Sequence, residues 1–149
     1  MRIWNFPKPT IAQIHGYTLA GGCYLQMVCD ISVAAEDAVL GHPLGSQGVS
    51  SMPLWQLLLG PKKARYLLFT NKFIDGKEAE RVGLVSLAVP PDQLEETVNQ
   101  IASQIAQTHP TRLFYCKESL NTNLEIMGLG ALFRYHGQLN ALGRLKRPE

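Results

Sequence analysis

The chain has 149 residues, 46% of them apolar and 17% charged, a length and balance that fit one soluble globular domain and exclude disordered and fibrous classes. Its 14 Lys and Arg against 12 Asp and Glu leave a formal charge of +2, scattered except for Lys62, Lys63 and Arg65 and a basic end at Arg144, Lys146 and Arg147, which is too weak a footprint for a nucleic-acid partner. Cys23, Cys29 and Cys116 have no CxxC spacing, no apolar run is long enough to span a bilayer, and "RIWNFPKPT" carries no signal-peptide features. These features predict no metal, no disulfide framework and no membrane partner, and a reducing, cytoplasmic setting.

After Pro7 and Pro9, "TIAQIH" predicts a short buried strand over 10–15, with His15 a structural residue at its end and Gly16 turning the chain. Leu19, Cys23 and Met27, with Leu25 and Val28 one face over, stand at helical spacing and predict a helix over 19–28 packed on both sides. "DISVAAEDAVLGHP" predicts strands at 31–35 and 38–41 around a turn at Glu36 and Asp37, which reads as a solvated turn rather than a pair of catalytic acids. Residues 42–52, "HPLGSQGVSSM", read as a loop long enough to carry function.

Helical pattern resumes at Pro53, and Pro61 is a good first helical residue for a segment running to Asn71. Asp75 with Glu78 forms a capping-box-like start to a short helix that Gly83 stops, and "LVSLAV" follows as a strand. Leu94, Val98, Ile101 and Ile105 define an amphipathic helix ending before Pro110. Two further helices are predicted over 111–123 and 124–145, the second weakened by Gly128, Gly130, Gly137 and Gly143.

Ala20, Gly21 and Gly22 place poor helix formers at the mouth of the first helix. A helix N-terminus leaves backbone N–H groups unpaired, and glycine lets a carbonyl oxygen approach them, so the segment suits an oxyanion hole. The competing reading is that three small residues merely permit close packing of helix on strand. Spacing alone leaves both open.

The stretch "KPTIAQIHGYTLAGGCYLQMVCDISVAAEDAVLGHP", residues 8–43, resembles the crotonase family of enoyl-CoA hydratases and isomerases, in its "KP", its glycine run, its helix ending in "CD" and its G-x-P motif. "GPKKARYLLFTNKFIDGKEAERVGLVSLAVPPDQL", residues 60–94, resembles the family's next stretch: a helix, a "tg" turn, an "A-x-x-x-GLV" segment and a "V-x-P-x-x-L" leading into a long helix. The resemblance implies an α/β fold, the crotonase-like spiral of β-β-α units, followed by a mostly helical C-terminal region. It divides the chain into the C-terminal part of the α/β core, residues 1–90, and a helical region used for oligomerisation, residues 91–149. It also implies that the chain lacks the family's N-terminal portion and stops early at its C-terminal end.

By the same resemblance the ligand is an acyl-CoA thioester of fatty acid metabolism, with coenzyme A as part of the substrate and no other cofactor, and the assembly is a homo-oligomeric trimer or hexamer. The thioester oxygen would lie against the N–H of Gly21, with Ala20, Gly22 and Leu44 lining the substrate site. The family's first glycine is Ala20 here. Its two hydratase glutamates correspond to Tyr24, three residues after Gly21, and to Leu44, after Gly41, His42 and Pro43. A phenol with an ordinary pKa of about 10 and an aliphatic side chain do not support two-carboxylate hydration. Tyr24 and His42, the latter expected to titrate near neutrality, are then the catalytic candidates, set against a packed aromatic and a histidine hydrogen-bonded at a strand end. Ser46 and Gln47 are candidates to orient a water. The alternatives are a non-catalytic acyl-CoA-binding or assembly protein, in which Leu44 and "PLWQLLL" extend an acyl pocket, and an inactive fragment. Lys62, Lys63 and Arg65 read as solvated surface.

Overall fold

The structure is a computed structural model that describes residues 2–44 and 53–145, and side chains as far as residue 141. Its first half is built from short β segments wrapped around small helices. β1 (Ile11–Ile14), β2 (Tyr17–Leu19), α1 (Gly21–Met27), β3 (Ile31–Ala35) and β4 (Val39–Gly41) come first. After the loop come α2 (Leu54–Phe69), β5 (Ile74–Asp75), α3 (Gly76–Arg81) and β6 (Leu87–Val89). A 3₁₀ turn at Pro91–Gln93 then leads into α4 (Leu94–Ala106), α5 (Pro110–Ile126) and α6 (Leu129–Leu145).

The strands form two small sheets of order β1-β3-β6 and β2-β4-β5. In the first, β3 lies parallel to both neighbours, with Ile11 opposite Ile31 and Val33 opposite Leu87. In the second, β2 runs parallel to β4, and β5 pairs antiparallel to it with Leu40 opposite Ile74. Strands β1 to β4 therefore alternate between the two sheets: the turn at Glu36 and Asp37 carries the chain from β3 in one sheet to β4 in the other. Val33, Ala34, Ala35, Ala38 and Leu40 are all buried. Such continuous apolar burial is what strands covered on both faces require. Trp55, Leu54, Cys23, Met27 and Leu84 complete the same core.

Three local expectations need correction. The residues read as the first turn of a helix, around Leu19, belong to β2, which pairs with β4 through contacts more than twenty residues away, and the helix starts only at Gly21. The segment read as a strand from Leu84 narrows to Leu87–Val89, because Leu84 N–H and Val85 N–H both reach back to the Ala79 carbonyl and close the end of α3. The last helix begins at Leu129 rather than Leu124, because Gly128 takes φ 94°, a conformation glycine tolerates and other residues avoid. A similar break at Gly60, φ 70°, kinks α2 just before Pro61, where the second half starts afresh. The short helix at 75–83 forms as its signals predict: the Asp75 carboxylate accepts from Glu78 N–H at 2.8 Å.

Helices α4 and α5 are tied to the first sheet by different means. Leu94, Val98 and Ile101 lay an apolar face of α4 against the core. From α5 the buried Lys117 donates to the Asp30 carboxylate at 2.7 Å and to the Lys8 carbonyl at 3.3 Å. The same carboxylate oxygen accepts from the N–H and hydroxyl of Thr10 at 2.7 and 2.8 Å, so one acid fixes the entries to β1 and β3 and the position of α5. Replacing Lys117 by Met keeps the stem and removes the charge. The expected loss is about 2 kcal/mol, the range of a hydrogen bond to a charged group, read as a lower urea midpoint at unchanged slope.

Candidate active site

The candidate site is the corner where β2 and β4 end together. Leu19 stands opposite Gly41 in the parallel register, and the next residue on the β2 side, Ala20, donates its N–H to the Gly41 carbonyl at 3.0 Å. The chain must then turn at once into α1, whose first turn closes when Tyr24 N–H reaches the Ala20 carbonyl at 3.0 Å. Ala20 makes this turn at φ 48°, ψ −114°. That is glycine territory, and an alanine there carries strain of about 1–3 kcal/mol.

Gly21 and Gly22 are exposed. A Cβ built on Gly21 meets nothing within 4 Å, and one on Gly22 meets only the Thr18 methyl at 3.8 Å. Close packing of helix on strand therefore does not require glycine at either position among the described residues. Gly22 also lines a groove of about 680 Å³ with Thr10, Ile14, Thr18 and Leu25 along the open edge of β1.

Tyr24 and His42 are brought together. Tyr24 is half-buried one turn into α1, and its ring lies 5.2 Å from the His42 ring, centroid to centroid, tilted by 31°. His42 follows β4 directly and is only 7% exposed, yet neither Nδ1 nor Nε2 has a hydrogen-bond partner among the described residues. The expectation of a hydrogen-bonded structural histidine is thus not met. Burial disfavours the imidazolium and lowers the pKa from its ordinary 6.5. Leu44 is half-buried against the core, and its N–H donates to the Asn71 side-chain carbonyl at 2.7 Å.

Cys23, between the glycines and Tyr24, is fully buried, and its thiol is pushed up to about 12 by desolvation, so it is a packing group rather than a nucleophile. Glu36 pairs with Lys77 at 2.8 Å in the turn between β3 and β4, as a solvated turn residue does. Lys63 pairs with Glu78 at 3.7 Å, away from the corner. Ser46 and Gln47 lie outside the described residues. Asn71 and Phe73 border the site and were not singled out from the sequence. A signal was available only in retrospect, since asparagine after a helix end is suited to the left-handed turn that Asn71 makes at φ 53°.

The family model for enoyl-CoA hydratase/isomerase matches residues 1–140. The chain is 35% identical over 128 residues to a short-chain-enoyl-CoA hydratase of Clostridium acetobutylicum, covering 83% of this chain and 49% of that protein. It is 39% identical over 127 residues to a probable enoyl-CoA hydratase of Rhizobium meliloti, covering 82% and 49%. The crystal structure of a probable enoyl-CoA hydratase from Mycobacterium thermoresistibile superposes with a TM-score of 0.90 at 32% identity, covering 96% of this chain and 61% of that one. The chain belongs to the enoyl-CoA hydratase/isomerase family and has the crotonase fold. It spans about half the length of the curated relatives it matches.

Two outcomes are expected from the corner's geometry. Ala20→Gly releases the backbone strain, offset in part by glycine's larger unfolded-state entropy, and should stabilise the fold by about 1 kcal/mol in thermal or urea unfolding. For His42 the folded pKa lies below 6.5, so the unfolded chain takes the proton first as the pH falls. Its contribution to stability is complete above pH 6.5 and is lost as the pH falls through the folded value. Urea midpoints compared at about pH 8 and about pH 5 should therefore drop less in His42→Phe than in the parent chain.

Proposed function

We propose that this chain carries the thioester-binding corner of an acyl-CoA enzyme of the hydratase/isomerase type, with the thioester oxygen received by the N–H of Gly21 at the start of α1. The observation that carries this reading is the open space at Gly21, where a Cβ would meet nothing within 4 Å, beside the adjacent Tyr24 and His42 rings, the buried histidine's nitrogens having no partner among the described residues. Charge that develops on a thioester oxygen as the α-carbon becomes enolate-like is stabilised by a fixed N–H donor that needs no reorganisation. Ala20 and Leu44 flank that position, Ala20 through its strained turn and Leu44 as an apolar wall.

Proton transfer in this site falls to different groups from the family's two glutamates. A phenol with an ordinary pKa of about 10 is a donor at neutral pH, and a neutral imidazole is an acceptor. Tyr24 is accordingly assigned as hydrogen-bond donor to the bound acyl group and His42 as the proton acceptor. Leu44 offers no exchangeable proton, so hydration by paired carboxylates is not the reaction assigned. Self-association into a trimer or hexamer belongs to the same reading, supported by the exposed Leu132 and Tyr135 on α6.

A second reading, acyl-CoA binding without turnover, is favoured by Leu44 and by the apolar groove of about 310 Å³ between α2 and α6, lined by Leu57, Leu129 and Leu132. Gly21→Ala separates ligand binding from folding, because the added methyl has room in the unliganded chain and occupies the oxygen's approach. Its thermal midpoint should match the parent's within a few degrees, while calorimetric affinity for an enoyl-CoA falls about tenfold or more, or 1.4 kcal/mol. Equal affinity in the two proteins would refute the assignment of Gly21. Binding that survives in Tyr24→Phe and His42→Ala while thioester turnover disappears supports the catalytic reading, and binding with no turnover in the parent chain supports the second.

A further inference from the structure

The segment from Gly41 to Leu44 is gripped at both ends by the turn that follows α2. At one end the Leu44 N–H donates to the Asn71 Oδ1 at 2.7 Å. At the other, the Phe73 ring lies so close over Gly41 that a Cβ there would sit 2.4 Å from its Cδ1. The β4–β5 ladder explains the alignment: Val39 faces Asp75 and Leu40 faces Ile74, so continuing the antiparallel register sets Gly41 opposite Phe73. His42 and Pro43 lie between the two grips, and the His42 ring is held there against Tyr24.

Asn71 can do this because of its backbone. It takes φ 53° at the end of α2, with its N–H on the Leu68 carbonyl and the Lys72 N–H on the Leu67 carbonyl. Asparagine tolerates this conformation better than other residues with side chains. Its main chain thus ends the helix while its side-chain carbonyl reaches the 41–44 segment, 27 residues away in sequence. The bond also occupies the Leu44 N–H, which is therefore not a donor to any ligand in the corner.

We infer that Asn71, assisted by Phe73, is a positioning residue that holds the 41–44 segment so that the His42 ring stays buried against Tyr24. The inference deepens the functional reading above and rests on it for its catalytic meaning, while the clamp itself is measurable without any substrate. The buried His42 imidazole has no hydrogen-bond partner among the described residues, so its orientation there is set by packing and by the backbone that carries it. Asn71 and Phe73 supply a polar and an apolar grip on that backbone.

The test uses Asn71→Gly, which keeps the left-handed turn and removes the acceptor, and Asn71→Asp, which keeps an acceptor oxygen at the same reach. Phe73→Ala removes the second grip. In the full chain, the His42 ring is followed by NMR through its titration and its cross-relaxation with the Tyr24 ring. Asn71→Gly should move the titration up toward the ordinary 6.5 and weaken the Tyr24 contact, Phe73→Ala should do the same, and Asn71→Asp should restore the parent behaviour. Turnover of an enoyl-CoA should fall about tenfold or more in kcat, with KM within about twofold, in the glycine variant. An unchanged His42 titration and Tyr24 contact in both Asn71→Gly and Phe73→Ala would overturn the clamp. A shifted His42 ring with unchanged turnover would uphold the clamp and refute the catalytic role of His42.

Discussion

The hydrogen bond from the Ala20 N–H to the Gly41 carbonyl, at 3.0 Å, is the constraint on which the candidate site depends. It extends the parallel β2–β4 pairing one residue beyond Leu19 and Gly41, and so leaves the chain no straight continuation. The only way into α1 is a sharp turn at positive φ, and an alanine makes it. Tyr24 is then carried round one helical turn onto the residue that follows Gly41, which is His42. Sheet register, backbone strain and ring contact are thus successive consequences of one pairing.

The corner and its helix carry buried polar groups without partners among the described residues. Leaving a buried donor or acceptor unpaired costs about 1–3 kcal/mol. Both His42 nitrogens and the Gln26 side-chain oxygen on α1 are in that state among the described residues. At the other end of α1 the balance is reversed: the Asp30 carboxylate gathers Thr10 and Lys117 into a network that fixes β1, β3 and α5. The network and the core around Trp55 and Leu40 hold the elements in place around the strained turn at Ala20 and the His42 ring. Strain is retained where the surrounding structure over-determines it, and such places are enriched in ligand sites.

What could be read from the sequence follows the range of the interactions involved. The amphipathic spacing from Leu94 to Ile105, the Asp75 cap and the apolar runs of β3 and β4 are local signals, and each element forms where its residues place it. β2 carries no such signal, since Tyr17 is 81% exposed and the strand exists only through its pairing with Val39–Gly41. Motif and spacing point to Gly21, Tyr24 and His42, and the fold brings the last two rings within 5.2 Å of each other. Their environment was not legible: the burial of His42 depends on contacts from α1, β4 and the turn after α2, and the bond between Asn71 and Leu44 spans 27 residues. Electrostatic consequences, such as the depressed pKa of His42, follow from that burial.

The division between backbone and side-chain function explains why family membership constrains one part of the chemistry more tightly than the other. A backbone N–H at Gly21 is supplied by the register of β2 and the start of α1, and substitution at positions 24 or 44 leaves it in place. Proton transfer is supplied by side chains alone, and in the proposed reading Tyr24 and Leu44 stand where the resemblance places the hydratase carboxylates. A chain can therefore be 35% and 39% identical, over the aligned residues, to a short-chain-enoyl-CoA hydratase and a probable enoyl-CoA hydratase and keep the fold, while the proposed reading gives the proton step to other side chains. The placement of a neutral imidazole beside a phenol is consistent with such a change, because burial, which would weaken a carboxylate's ionisation, instead keeps a histidine in its basic form. In the proposed reading the turn at Asn71 follows the same logic: the His42 ring has no hydrogen-bond partner among the described residues, so its geometry is set by the backbone that carries it.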